Sequence, residues 1–365
     1  MENRMRRVSL ILFFCIAAFW PLLFVRAADA GRFGQLVHEK DSLYHRIFVY
    51  QRGSVVTLQF GKRPSVQVQS QVDLNDLRQH MLEYTSLAFC GLLYKPQPKR
   101  MLVLGLGGGV IPREMHHYLP TMEIDAVEID PEIALIAKQF FGFCEDDKLK
   151  VHIDDGRMFI KKQLRLDPIP KYDLIILDAF NSDYIPFHLM TKEFLEQVKG
   201  VLAEDGVVIA NVFHSNRLFD AELATFLSVF GRCQTFLGVH SDNAILVSPG
   251  PTGPTLTVRE ATERAKMLQH KLTFDFLTVA RRLQPKTRPD PQAKVLTDDL
   301  APVNQLRKQQ RRKSSAGATT LRRNNMGVAK TMVTGPWQGQ WFEPGPAVCN
   351  VFPANRWFCQ TLKRE

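Results

Sequence analysis

The stretch Met101-Leu-Val-Leu-Gly-Leu-Gly-Gly-Gly109, with Ile124-Asp-Ala-Val-Glu-Ile-Asp130 after it, constrains this chain more than any other. Leu102–Leu104 is an apolar run of the kind a strand buried on both faces requires. Gly105, Gly107, Gly108 and Gly109 then let the backbone turn sharply and approach a ligand with no Cβ in the way. Val110–Tyr118 can follow as a helix whose N-terminus faces that ligand. A second apolar strand ends at Glu128, 23 residues beyond Gly105. That is near the ~20-residue distance at which an acidic side chain reaches ribose hydroxyls in nucleotide-binding βαβ units. A glycine turn alone would fit many α/β proteins. Turn, second strand and terminal carboxylate together point to an adenosyl or dinucleotide ligand.

From Met101 onward strands and helices alternate, which predicts a parallel sheet covered on both faces. Strands are expected at 101–104, 123–128, 149–153, 172–178 and 205–212. Helices are expected at 110–118, 131–141, 157–163, 191–203 and 218–229. Two more strands, about 233–239 and 243–248, close a seven-stranded sheet through a hairpin at His240-Ser-Asp242. Before this body, Tyr44–Tyr50, Ser54–Phe60 and Ser65–Ser70 predict a small antiparallel lid over residues 42–72. Leu74–Leu93 reads as one helix, and so does Val258–Leu283. The main domain is expected to span 73–304, followed by a basic linker over 305–330 and an aromatic tail over 331–365.

Charge bears on function only once it is located. The net charge of +10 suggests a nucleic-acid partner, but residues 300–342 hold eight cations and no Asp or Glu. The rest of the chain carries only +2, so the basic character belongs to a tail. The six cysteines show no CxxC pair and no metal-ligand spacing. Cys90, Cys144 and Cys233 read as buried thiols, and Cys349 and Cys359 could close a disulfide loop if the tail is exported. At the N-terminus, Arg4, Arg6 and Arg7 precede the apolar run Leu10–Val25, with Ala28-Asp-Ala30 as a cleavage site. Residues 1–30 therefore read as a signal peptide or an uncleaved anchor. Either would place the body outside the cytoplasm, against a cytosolic adenosyl cofactor.

Carboxylates at the carboxyl ends of parallel strands are the natural candidates for chemistry. Glu128, Asp154 with Asp155, and Asp178 all fall there. Asp155-Gly156 would set a carboxylate beside an adenine amino group while Gly156 admits the ring. Asp178 ends the apolar strand Tyr172–Asp178, where partial desolvation raises a carboxyl pKa and suits a general base. Asp183, five residues on, could hold a cationic substrate, although a turn residue or helix cap is the commoner use of such a position. His116, His117 and His188 suggest no specific role. No HExxH, GxSxG or Cys/His cluster is present, so metal-dependent and serine hydrolysis lack support.

With these motifs in hand, the sequence resembles the spermidine synthase (polyamine aminopropyltransferase) family, from about Ser42 to Val303. The resemblance rests on Leu102–Gly109, Arg113-Glu114, Val127-Glu-Ile-Asp-Pro131, Asp155-Gly156, Tyr172–Asp178 and Leu296-Thr-Asp-Asp299. It implies an α/β fold of the S-adenosylmethionine-dependent Rossmann-like type behind an antiparallel β-lid. It implies that Glu128 binds ribose, Asp155 binds adenine, and Asp178 deprotonates the attacking amine, with methylthioadenosine as the nucleoside product. Gly105, Gly107, Gly108 and Gly156 would shape the cofactor site, and Tyr84 and Asp183 the acceptor site. The co-substrate would be decarboxylated S-adenosylmethionine or S-adenosylmethionine, with no metal. The acceptor would be a small amine or polyamine. A homodimer and contact of the basic tail with an anionic surface stay open, and no specific nucleic acid is expected.

Several positions depart from the family pattern. Gly108 stands where the family carries an Asp that pairs with the amine of the decarboxylated donor. Glu83-Tyr-Thr85 replaces a Tyr-His-Glu type motif, Asn181 falls where a second loop Asp is usual, and His45 replaces a lid Gln. The likeness is greatest to divergent bacterial members, some fused to transporter-like segments, and related eukaryotic folds methylate proteins. Three readings follow: aminopropyl transfer, methyl transfer on the same scaffold, and a non-catalytic adenosyl-binding module. The absence of an Asn-Pro-Pro-Tyr type loop argues against methylation of nucleic-acid amino groups.

Overall fold

The computed structural model describes residues 31–309, except 45, 62–67, 180–185, 285, 303–304 and 307. Its centre is β5, Arg100–Leu104, whose last four residues are buried. Leu102 and Leu104 face one core while Met101 and Val103 face the other, the period-two division of a strand covered on both sides. Parallel neighbours flank it: β6 (Glu123–Glu128) on one side and β8 (Tyr172–Leu177) on the other. The sheet continues outward through β7 (Leu149–Ile153) and, at the opposite side, β9 (Leu202–Phe213), β11 (Asn243–Pro249) and β10 (Gln234–Leu237). Because β6 and β8 leave β5 in opposite directions, the crevice at the carboxyl ends of β5 and β8 is a topological switch point.

The expected α/β architecture with an antiparallel lid is present, with one strand more than the seven read from sequence. Leu283–Gln284 forms β12 beside β10, making eight. The expected helix over Val258–Leu283 is interrupted. Gln269 accepts from the Phe276 N–H and donates to the Leu272 and Phe274 carbonyls, and Asp275 caps a second helix, Phe276–Arg281. Leu74–Leu93 is broken in the same way. Asp73 and Asp76 accept from the Asn75 and Arg78 N–H groups, and these local turns compete with helix until Glu83.

Helix starts follow their sequence signals. Asp130 caps Pro131–Phe140 with Pro at its first turn, Asp155 caps Gly156–Gln163, and Thr191 caps Lys192–Val201. A Thr257/Glu260 capping box opens Val258–Leu268.

The lid is an antiparallel sheet of β1 (Gln35–Asp41), β2 (Arg46–Arg52), β3 (Val55–Phe60) and β4 (Ser70–Asp73). The first half of the strand read at Ser65–Ser70 lies outside the described residues, with Ser70 opening β4, and β1 was not read at all. Ile47, Val49, Leu58 and Val72 pack on Ile133, Ile136 and Phe141, fixing lid to body. Within the body, buried Arg113 ties two segments beneath this core, donating to the Phe141 carbonyl at 2.6 Å and the Leu77 carbonyl at 2.5 Å. The Arg113-Glu114 motif thus works here as a structural bracket.

Two expectations need correction. Exported or membrane-anchored placement finds no support: among the described residues no helix is long and apolar enough to cross a membrane. The longest, Leu218–Phe230, has 13 residues, where a span needs about 20. The signal-peptide and anchor readings rested on residues 1–30, which lie outside the described residues, as do Cys349 and Cys359. Cys90 and Cys233 are free thiols, whereas half-buried Cys144 is disulfide-bonded.

Candidate active site

A cavity of about 480 Å³ opens at the switch point, within the ordinary range of small-ligand sites. Its floor is Leu104–Gly107 and the ends of β6 and β8. Its roof includes Tyr44, Phe60 and Gln69 of the lid.

Glu128, Asp154, Asp155 and Asp178 all line this cavity. Among the described wall residues there is no Lys or Arg, and His188 is the only histidine. Such a wall favours cationic ligands.

Gly105 closes β5 with φ +97°, and its N–H donates to the Val127 carbonyl at 2.8 Å. A Cβ there would run into the Asp178 backbone, so glycine is what lets the two strand ends meet. Gly107, at φ +53°, also lines the cavity. Gly108 does not. A Cβ on Gly108 would stand 2.5 Å from Ser70 Oγ of the lid and 2.6 Å from Phe141. The position where the family carries an Asp is therefore filled by packing.

Glu128 is nearly buried. Its carboxylate accepts the Leu106 N–H at 3.0 Å and the Asp130 N–H at 3.0 Å, tying the glycine loop to β6. Burial raises its pKa, partly offset by these N–H groups. Asp155 accepts from Met158 N–H at 2.9 Å through one oxygen and meets His188 Nε2 at 3.0 Å through the other. The His188 contact, outweighing burial, which acts the other way, holds Asp155 below the usual carboxylate range. Gly156 follows in the wall.

Asp178 behaves differently. Burial pushes its pKa up to about 7, the Asn211 amide opposes this, and the charge of Glu128 adds to it. Asn211 Nδ2 donates to Asp178 Oδ1 at 2.9 Å, and Asn243 Nδ2 donates to Asn211 Oδ1 at 2.9 Å. The chain of amides fixes the carboxylate and leaves its second oxygen free to take a proton near neutral pH.

Tyr84 lines the cavity and donates to the Gln69 carbonyl at 3.1 Å, and its phenol is raised by burial and by Asp178. Its neighbour Glu83 points away from the cavity. Its carboxylate accepts the N–H groups of Val239, His240 and Ser241, anchoring residues 239–241. Asp183, Asn181 and His45 lie outside the described residues.

Sequence reasoning missed Asn211, Asn243 and His188. A lone Asn inside the apolar run Val207–Phe213 is a signal that could have found the first, since a buried amide needs partners. Nothing local distinguishes His188.

A spermine/spermidine synthase domain matches residues 81–237. The polyamine aminopropyltransferase of Vibrio vulnificus is 35% identical over 277 residues, covering 74% of this chain and 91% of that protein. The mouse eEF1A lysine and N-terminal methyltransferase is 36% identical over 182 residues, 48% of this chain but only 26% of that protein. A probable spermidine synthase structure from Corynebacterium glutamicum superposes with a TM-score of 0.57 at 18% identity, covering 74% of this chain and 99% of that one, a likeness of fold. The chain is an enzyme, a transferase of the S-adenosylmethionine-binding kind. The near full-length likeness to the Vibrio protein, with the glycine turn, Glu128 and the strand-end Asp178 lining one cavity, shows that it belongs to the spermidine synthase (polyamine aminopropyltransferase) family.

Proposed function

We propose that this enzyme transfers an aminopropyl group from decarboxylated S-adenosylmethionine to a small amine or polyamine, with Asp178 as general base. The observation that carries the reading is Asp178 itself, a strand-end carboxyl raised to about 7 and oriented by Asn211. An acceptor ammonium has no lone pair to attack with. Asp178 takes its proton, the freed amine forms a C–N bond to the carbon beside the sulfonium, and the C–S bond breaks with its electron pair going to sulfur. The nucleoside leaves as methylthioadenosine, and Asp178 returns its proton to solvent. Glu128 and Asp155 would hold ribose and base, with Gly105, Gly107 and Gly156 admitting them. The fit supports a nucleoside at one point of the turn: a Cβ on Gly107, in the cavity wall, would meet nothing closer than Ser70 at 3.9 Å, so this glycine leaves room beside the cavity. The lack of a Lys or Arg among the described wall residues favours a donor without a carboxylate.

A second reading, methyl transfer from S-adenosylmethionine, is favoured by Gly108 and by the mouse methyltransferase likeness. Product identity separates the two. The full chain, incubated with either donor and a panel of amines, should release methylthioadenosine from the decarboxylated form. Release of S-adenosylhomocysteine from the intact donor would decide for methylation. In either case Asp178→Asn should keep nucleoside affinity and lose about 10²–10⁴ in turnover, the usual worth of a general base. Unchanged turnover would remove Asp178 from that role.

A further inference from the structure

We infer that His188 is a positioning residue for the base-reading carboxylate. It fixes Asp155 to accept the exocyclic amine of adenine, and it is held in turn by Asp298 through Arg157. The inference rests on the reading that Asp155 faces the base.

Asp155 is a carboxylate that can only accept, so the His188 Nε2 facing it carries the hydrogen. With Oδ1 on the Met158 N–H and Oδ2 on His188, the carboxylate plane cannot rotate. Each carboxylate oxygen can accept two hydrogen bonds, so Oδ2 keeps a site for a ligand N–H. Asp155 and His188 both line the cavity, which puts that free site where a ligand can reach it.

His188 sits in a three-residue 3₁₀ turn, Phe187–Leu189, too short to hold its own shape. The restraint comes from outside. Arg157 donates to the His188 carbonyl at 3.3 Å and forms a two-pronged pair with Asp298, at 2.8 and 2.7 Å. Asp298 also accepts from Thr191 Oγ1 at 2.7 Å, and its N–H donates to Glu193. The Leu296-Thr-Asp-Asp299 motif, remote in sequence from the base site, thereby holds the His188 backbone, through Arg157, and Thr191 just beyond the turn. This gives the motif a task in nucleoside selection that its distance from the cavity wall conceals.

The test compares binding of methylthioadenosine with that of methylthioinosine, whose 6-oxo group cannot donate to a carboxylate. Calorimetry on the full-length wild-type enzyme should show the 6-amino nucleoside preferred by ten-fold or more. His188→Ala should bring the ratio toward one, and His188→Gln, whose amide can donate as the ring does, should restore most of it. Asp298→Asn should reduce the ratio less, without touching the ligand. A His188→Ala enzyme that loses affinity for both nucleosides equally, keeping the ratio, would show His188 to be scaffold only. Asp155→Ala separates the two levels. A preserved ratio there would overturn the parent reading of Asp155. A collapsed ratio there beside an intact ratio in His188→Ala would overturn this inference alone.

Discussion

Asp178 and Glu222 show how one physical cause, burial of a carboxyl, serves two ends. Asp178 has an amide on one oxygen and an open cavity on the other. Its proton affinity, near pH 7, is usable. As a base it must be ionised, so kcat/KM should rise with pH along a limb centred near 7, and Asp178→Asn should abolish that limb. A flat profile between pH 5.5 and 8.5 would argue against the assignment. Glu222 is 4% exposed, on Leu218–Phe230, behind the cavity among Leu177, Phe194, Val212 and Phe226. Among the described residues no hydrogen-bond partner offsets its burial, which pushes its pKa up from 4.5 to about 8. The folded state therefore holds this proton more tightly than the unfolded chain. Stability is untouched below about 4.5 and falls as pH climbs toward 8, a cost of about 3 kcal/mol at pH 7. Glu222→Met should raise the denaturation midpoint at pH 8 and leave it nearly unchanged at pH 4. Equal shifts at both pH values would mean packing, not ionisation, is responsible.

At the scale of elements, what was legible and what was not divides along one line. The strands of the main sheet were legible because both faces are buried and their residues read as continuous apolar runs, as in Tyr172–Leu177. The glycine turn was legible because positive φ at Gly105 and Gly107 leaves few alternatives to glycine. Helix interruptions at residues 74–82 and 269–275 were not, because side-chain hydrogen bonds from Asp73, Asp76 and Gln269 decide them and periodicity is blind to these. The site divides the same way. Carboxylates at strand ends could be found by position, whereas Asn243 and His188 acquire meaning only when distant segments meet. Gly108 is instructive, since sequence registers only a missing charge there. In the fold, β4 and the turn after Pro131–Phe140 close over it. Restoring the family residue by Gly108→Asp should thus cost about 1–3 kcal/mol through overpacking, seen as a lowered unfolding midpoint, with no gain in preference for the decarboxylated donor. A variant of wild-type stability that gains this preference would contradict the packing account.

At the scale of the whole molecule, lid and body act as one unit through a shared apolar core. Between them lies the cavity with four carboxylates and, among its described walls, no Lys or Arg. That asymmetry bears on the direction of traffic. A sulfonium donor arrives carrying positive charge, whereas the thioether it becomes is neutral at sulfur. The same wall that draws the donor in loses its hold once the group has moved, so turnover itself discharges the attraction. Exposed electrostatic attraction weakens with added salt, while contacts to a neutral nucleoside hardly change. Raising ionic strength from low to about physiological should then increase KM for the donor several-fold and leave inhibition by spent nucleoside nearly constant. Parallel weakening of both would show that the nucleoside, and not its charge, is what the cavity chiefly grips.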